Sequence, residues 1–448
     1  MHDTNNVPRA AGGNPDALLS RELGTRQLAA TIFNYTVGSG IFVLPAFAVL
    51  QLGTAAPLAY VACAVIIGLV VLCFAEAGSR VSATGGPYAY VETALGPFVG
   101  FVAGCLVLAT GTSAAGAVAS VVARSILSLV PNAPAWVTPL FILLLVSMLV
   151  SINYRGVRTG ARVIEGITVA KLLPLLAFVG IGVFFIEPAN LAWSAVPDMS
   201  AVLGTAGVVI FAFSGIEGSL IPSGEVKNPS KTVPRAAFLA LGAATLLYLA
   251  IQFVALGILG TDLANDRTTP LASAAGAVAG PTARTILVVG AVISMFGYLS
   301  ANVLSEPRGL FAFSRDGFLP RIFSSVHPRF HTPHIAIMVY GVLVAIIALS
   351  GTYETLAVFA NLAALMLYTL CAIAAYMLRK RDVRTDGEPF LAPGGPLVPI
   401  AACLSIAWLF YETVTLQQFL WLVGVLVLIV ALYAARAVRL RKSAPSAA

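Results

Sequence analysis

Charge is the scarcest commodity in this sequence: Asp, Glu, Lys and Arg together make up 10% of 448 residues, against 59% apolar. A soluble chain carries about 25% charged residues, and one this poor in charge cannot keep its surface hydrated and dispersed. A soluble enzyme is therefore excluded. At about 20 apolar residues per bilayer crossing, the composition fits a polytopic membrane protein with little left for a large aqueous domain. Cysteine is sparse as well. Cys63, Cys73, Cys105, Cys371 and Cys403 all lie inside apolar runs and none forms a CxxC pair. They read as small buried hydrophobes, neither disulfides nor metal ligands. There is no GxxxxGK[ST] phosphate loop to support direct ATP drive, and neither GxSxG nor HExxH occurs. No cofactor is expected. The first 28 or so residues are polar, without a short apolar run and cleavage site, so no secretory signal peptide is expected either.

What the sequence does contain is a succession of long apolar runs. They fall at about 28–51, 55–78, 97–123, 135–152, 163–186, 201–222, 235–259, 284–313, 335–350, 355–378, 396–413 and 417–438. Each is expected to be a membrane-spanning helix, because hydrocarbon offers no partner to an unpaired backbone group and the alternation of a barrel is absent. With twelve spans and both termini in the cytoplasm, 22 of the 26 Lys and Arg residues fall on the inner side. Arg124, Arg267 and Arg284 fall outside, and Lys171 alone lies within a span. That bias is the positive-inside pattern. It also accounts for the net charge of +7, which forms no stripe suited to nucleic acid. The expected layout is a cytoplasmic tail (1–27), a ten-helix core (28–378), two additional helices (379–438) and a basic cytoplasmic tail (439–448), embedded in the cell membrane.

Two of the runs are interrupted. The first reads NYTVGSGIFVLPAF and the sixth FAFSGIEGSLIPSGE, and both contain Ser-Gly-Ile, at Ser39–Ile41 and Ser214–Ile216. Small residues also serve close helix packing. These two runs, however, open successive sets of five spans, and breaks at corresponding places in two halves point to a transporter site. An unwound turn frees N–H groups at the start of one half-helix and carbonyls at the end of the other. The first suits a carboxylate and the second an ammonium, so the backbone of an amino acid matches the pair.

GSGIFVLPA, GGPYAYVETALGPFVGF, FAFSGIEGSLIPSGEVKNPSKTVPRA, FAFSRDGFLPRIF and PFLAPGGPLVPI resemble the signatures of the amino acid–polyamine–organocation (APC) permeases across nearly the whole chain. The resemblance implies an all-α fold of 12 transmembrane helices, whose core is a five-plus-five inverted repeat (about 28–186 and 201–378) with broken first and sixth helices. It implies alternating-access transport of an amino acid. The substrate carboxylate would meet Ser39 and the N–H of Gly40, beside Gly38. The amine would meet carbonyls of Thr36, Phe211 and Ser214, next to Gly215. Phe211 stands where the family places a gating aromatic. Thr110, Gly111, Ser113 and Ala115 on the third span are small and uncharged where cationic-substrate members carry an amide near Ala115. Asn302 and Asn361 are further lining candidates. An uncharged pocket disfavours a cationic cargo, so a neutral amino acid is expected.

Lys171 lies mid-span in RVIEGITVAKLLPLLAF, too deep to snorkel. A charge there calls for a partner, neutralisation or water. By resemblance it occupies the place of the fifth-span lysine that stands in for sodium in sodium-independent members, bridging the first and eighth helices. Its proton is a candidate coupling ion; a fixed structural cation is the alternative. Glu217 directly follows the second break, as a proton-sensitive link or as a cap for the half-helix. Glu165 is too far from Lys171 for an i,i+4 pair. Glu76, Glu225 and Glu306 read as solvated or loop-pairing charges near span ends. His327, His331 and His334 have metal-like spacing, but Pro328 and Pro333 interrupt any helix that would align them. The expected function is a proton-coupled, sodium-independent secondary transporter in a lipid bilayer, with amino acid and protons as its partners. An exchanger is the alternative within transport. A membrane-embedded sensor, a membrane enzyme or a major-facilitator carrier fits less well, for want of a signalling domain, a catalytic constellation or a large central loop.

Overall fold

Twelve apolar runs become helices because a backbone out of reach of water must close its own hydrogen bonds. The computed structural model describes residues 19, 21–127, 134, 136–193, 197–351, 353–385 and 387–443. Its first half contains α1 (Thr25–Thr36), α2 (Gly40–Leu52), α3 (Pro57–Arg80), α4 (Pro87–Leu95), α5 (Pro97–Leu127), α6 (Val137–Tyr154) and α7 (Val157–Gly182). The second contains α8 (Met199–Phe213), α9 (Ile216–Ser219), α10 (Pro229–Leu259), α11 (Pro270–Arg315), α12 (His334–Ser350), α13 (Tyr353–Lys380), α14 (Leu397–Thr413) and α15 (Leu416–Ser443). No β-strand occurs among the described residues beyond one isolated bridge between Leu23 and Val226. Much of the expected N-terminal tail (1–18 and residue 20) and the last residues, 444–448, lie outside the described residues. So do the side chains of Arg124, Arg158, Arg162, Arg439, Arg441 and Lys442.

Among the described residues, nine helices are long and apolar enough to cross a membrane, or ten when the bent pair α1–α2 counts as one span. The apolar helices α12 and α14 are shorter, at 17 residues each. The chain is a multi-pass membrane protein. Proline sits in the first turn of α3, α4, α5, α10 and α11, where its missing N–H would have no intrahelical partner anyway. Buried side chains concentrate on α1, α3, α5, α8, α10, α11 and α13, which pack around the breaks. Exposed apolar residues such as Leu144, Leu173, Leu404 and Leu428 cover the outer faces of α6, α7, α14 and α15, as a hydrocarbon-facing surface requires.

Three features depart from the sequence reading. Helix α4, nine residues long, was not foreseen, because it is too short to register as a span. Helix α11 begins at Pro270 and not near 284; it passes through non-helical Ala279 and Gly280, the latter at φ 75°, before Pro281. Its first stretch is helical but rich in alanine and glycine, so hydropathy alone missed it. The third departure concerns Glu76, Glu225 and Glu306, all of which are buried. Glu76 is not solvated: it pairs with Arg80 at 3.2 Å and Arg379 at 3.4 Å, and accepts the N–H of Ala392. Glu225 and Arg308 form an ion pair at 2.9 Å with neither side chain exposed. Glu165 pairs with Arg26 at 3.2 Å. His327 and His334 pack edge-on with each other and with Tyr154, and among the described residues no group of three His, Cys, Asp or Glu is placed to hold a metal.

The loop before α11 is organised by Asp266, which accepts the N–H groups of Thr268 (3.0 Å) and Thr269 (2.9 Å) and the Ser273 hydroxyl (2.5 Å). Desolvation pushes the Asp266 carboxyl up. The hydrogen bonds from Ser273, Thr269 and Thr268 outweigh it and hold the group well below the usual carboxylate range.

Candidate substrate site at the two helix breaks

Helix α1 ends at Thr36 because Val37 (φ −81°, ψ 77°) leaves helical conformation, and α2 restarts at Gly40 bent by 45°. Helix α8 ends in the same way: Ser214 is extended and Gly215 lies at φ 126°, a conformation that favours glycine. The two breaks touch. A Cβ on Gly215 would come within 2.8 Å of the Tyr35 backbone, and one on Gly40 within 2.8 Å of Ala212. Glycine at these positions is what lets two unwound segments lie against each other. Tyr248 of α10 spans both, its hydroxyl lying 2.9 Å from the Thr36 carbonyl and 2.8 Å from that of Ala212.

Lys171 reaches the first break from α7. Fully buried, its ammonium donates to the Val37 carbonyl at 2.6 Å and lies 3.5 Å from that of Asn34. Ser294 of α11 donates to the same Val37 carbonyl at 2.9 Å. Both of these Lys171 hydrogen bonds go to the first span, and it is Ser294 that joins the eighth span to the same oxygen. At the second break, Glu217 Oε2 accepts the Gly215 N–H at 2.9 Å and the Tyr368 hydroxyl at 2.8 Å.

A cavity opens where the breaks meet. Thr36, Gly38, Ser39 and Gly40 line it from the first break, and Phe211, Ser214, Gly215 and Glu217 from the second. Thr110 and Gly111 on α5 and Asn361 on α13, also singled out from sequence, line it too. Two others stand apart. Lys171 touches the back of the first break, and Asn302 lies behind Tyr35, donating to its hydroxyl at 2.9 Å and to the Gly111 carbonyl at 3.1 Å.

Sequence reasoning missed Tyr35, Tyr298 and Glu306, which also line the cavity. Tyr35 donates to Glu306 Oε1 at 2.6 Å, and Tyr340 donates to Asn302 Oδ1 at 2.7 Å, so a chain of four polar side chains runs beneath the cavity. The signal was available: Tyr298, Asn302 and Glu306 recur every four residues, hence on one helical face. The third-span contribution is uncharged, as expected. The cavity as a whole is nonetheless acidic in its ionisable groups: Glu217 and Glu306 line it, and among the described residues no Lys, Arg or His does.

The sequence profile described as amino acid permease matches residues 23–435. Among curated proteins, the chain is 31% identical to the methylthioribose transporter of Bacillus subtilis (strain 168), over 91% of this chain and 93% of that protein. It is 27% identical to the branched-chain amino acid permease of the same organism (90% and 91% covered). It is 28% identical to the serine/threonine exchanger, again of that organism (86% and 89%). With its family signature running from end to end of the described helices, the chain belongs to the amino acid permease family of the APC superfamily.

Proposed function

We propose that this permease is a secondary transporter of a neutral amino acid, working by alternating access, coupled to protons and independent of sodium. The observation that carries the reading is the meeting of two interrupted helices at one cavity, with the buried Lys171 ammonium on the first break. Relatives named for branched-chain amino acids and for serine and threonine support a neutral cargo. The architecture proposed is twelve spans with cytoplasmic termini: inverted repeats at about 28–186 and 201–378, followed by the helices of 379–438.

In this scheme the Gly40 N–H and Ser39 receive the substrate carboxylate at the start of α2, where the helix dipole favours negative charge. The ammonium goes to the carbonyls of Phe211 and Ser214. The Thr36 carbonyl, already engaged by Tyr248, contributes through its second lone pair. Phe211 closes over the bound molecule. Glu217 in the cavity wall and Lys171 at the first break are buried ionisable groups that can hold a proton while a neutral zwitterion crosses, and they are the candidate carriers of the co-transported proton.

Vesicles containing the purified protein should accumulate a neutral amino acid when the outside is acidified in sodium-free buffer. Strict sodium dependence defeats the Lys171 reading. The second reading, exchange without net proton movement, is favoured by the likeness to a serine/threonine exchanger; uptake that occurs only into vesicles preloaded with amino acid would select it. Ser39→Trp should abolish substrate binding, measured as ligand-induced thermal stabilisation, while the protein remains monodisperse in detergent. Undiminished binding would move the site elsewhere.

A further inference from the structure

We propose that Glu306 reads the substrate's side chain, and that the preferred cargo is a neutral amino acid whose side chain carries an O–H or N–H donor and not an aliphatic one. The proposal rests on the reading above that this cavity holds the substrate. Glu306 is buried on α11 and lines the cavity. Its two oxygens differ. Oε1 accepts the Tyr35 hydroxyl at 2.6 Å, whereas Oε2 is buried without a hydrogen-bond partner. A buried carboxyl oxygen left bare loses its hydration and receives nothing in return. Glu217, the other cavity acid, accepts both the Gly215 N–H and the Tyr368 hydroxyl on Oε2, and neither of its oxygens is buried without a partner. Glu306 is therefore the acid with acceptor capacity to spare.

The surroundings are shaped to keep that carboxyl in place. A Cβ on Gly111 would stand 2.2 Å from its Cδ, and one on Gly218 would stand 2.7 Å from Oε1. Only glycine at these two positions leaves room for the group between α5 and the segment after the second break. Tyr35 fixes its orientation from the first break, and Asn302 fixes Tyr35 in turn. A substrate held by its backbone groups at the breaks extends its side chain along the remaining walls, of which Thr110, Gly111 and Glu306 are part. A hydroxyl or amide satisfies Oε2 there. An aliphatic side chain leaves it bare, and discrimination by an unpaired buried group is stronger than discrimination by missing methylenes.

The test is a binding panel on purified protein, with thermal stabilisation read for serine, threonine, asparagine, glutamine, lysine, leucine and valine. The wild type should be stabilised most by serine, threonine, asparagine or glutamine; a preference for lysine overturns the neutral cargo and this inference with it. Glu306→Gln keeps an oxygen for Tyr35 but turns the bare acceptor into a donor. It should weaken donor-bearing substrates by about tenfold or more and leave leucine and valine unchanged or improved. A wild type that prefers leucine or valine overturns this inference alone, and that ranking needs no variant. Equal weakening of every substrate by Glu306→Gln reduces the residue to a structural part and also overturns it. If no amino acid stabilises the wild type, the proposed function itself falls, and this inference with it.

Discussion

Lys171→Met should eliminate proton-driven accumulation while leaving a folded protein that still binds substrate. Methionine keeps an unbranched chain of similar volume in a site with no exposure. The Val37 carbonyl also keeps a donor, because Ser294 lies 2.9 Å from it. What disappears is the ammonium and its exchangeable proton. One proton per substrate across a one-unit pH gradient supplies about 1.4 kcal/mol, enough for about tenfold accumulation; the variant should equilibrate at a ratio of about one. The measurement is labelled substrate inside vesicles at steady state. Lys171→Arg separates charge from proton, since guanidinium does not deprotonate in proteins. Arginine should fail to accumulate if the proton matters, and should work if a fixed cation suffices. Full accumulation by Lys171→Met removes the residue from coupling altogether.

Arg308→Met should produce the largest loss of stability. The Arg308–Glu225 pair, at 2.9 Å with both side chains fully buried, joins α11 to the turn Ile221–Glu225 that follows the second break. The backbone carbonyl of Glu225 in turn accepts the N–H groups of Glu22 and Leu23. Removing the guanidinium takes the Arg308 charge away from a buried carboxylate, and breaking a buried pair from one side costs about 3–5 kcal/mol. Adding Glu225→Gln should recover most of the loss, because the cost lies in the stranded charge and not in the absent pair. Apparent melting temperatures of the single and double variants in detergent decide the matter. A double variant no more stable than Arg308→Met would mean that geometry, not charge, is what the pair supplies.

The breaks themselves were legible because Gly-Ser-Gly and Ser-Gly within apolar runs say directly where a helix must stop, and Gly215 and Gly40 do sit at the contact. The floor of the cavity was harder to see. Glu306 lies near the end of an apolar run, so counting hydropathy alone assigns it to the interface. Its actual environment depends on α11 continuing helically to Arg315 and on which face it turns inward. Helical spacing from Tyr298 through Asn302 carried that information, but only once the inward face was known. Glu225 and Arg308 were opaque for a different reason: they are 83 residues apart, and no local pattern reports a pairing made by the fold.

Tyr248 gives the two halves of the molecule a common swivel. A phenol has a single hydrogen, yet this one faces two carbonyls, at 2.9 and 2.8 Å, from different helices. Whichever segment withdraws first surrenders its share and strengthens the share of the other. Parting the two segments therefore costs less than breaking one whole hydrogen bond, and either can lead. A latch would make the parting of these two segments all-or-none; a shared hydrogen lets it proceed by degrees.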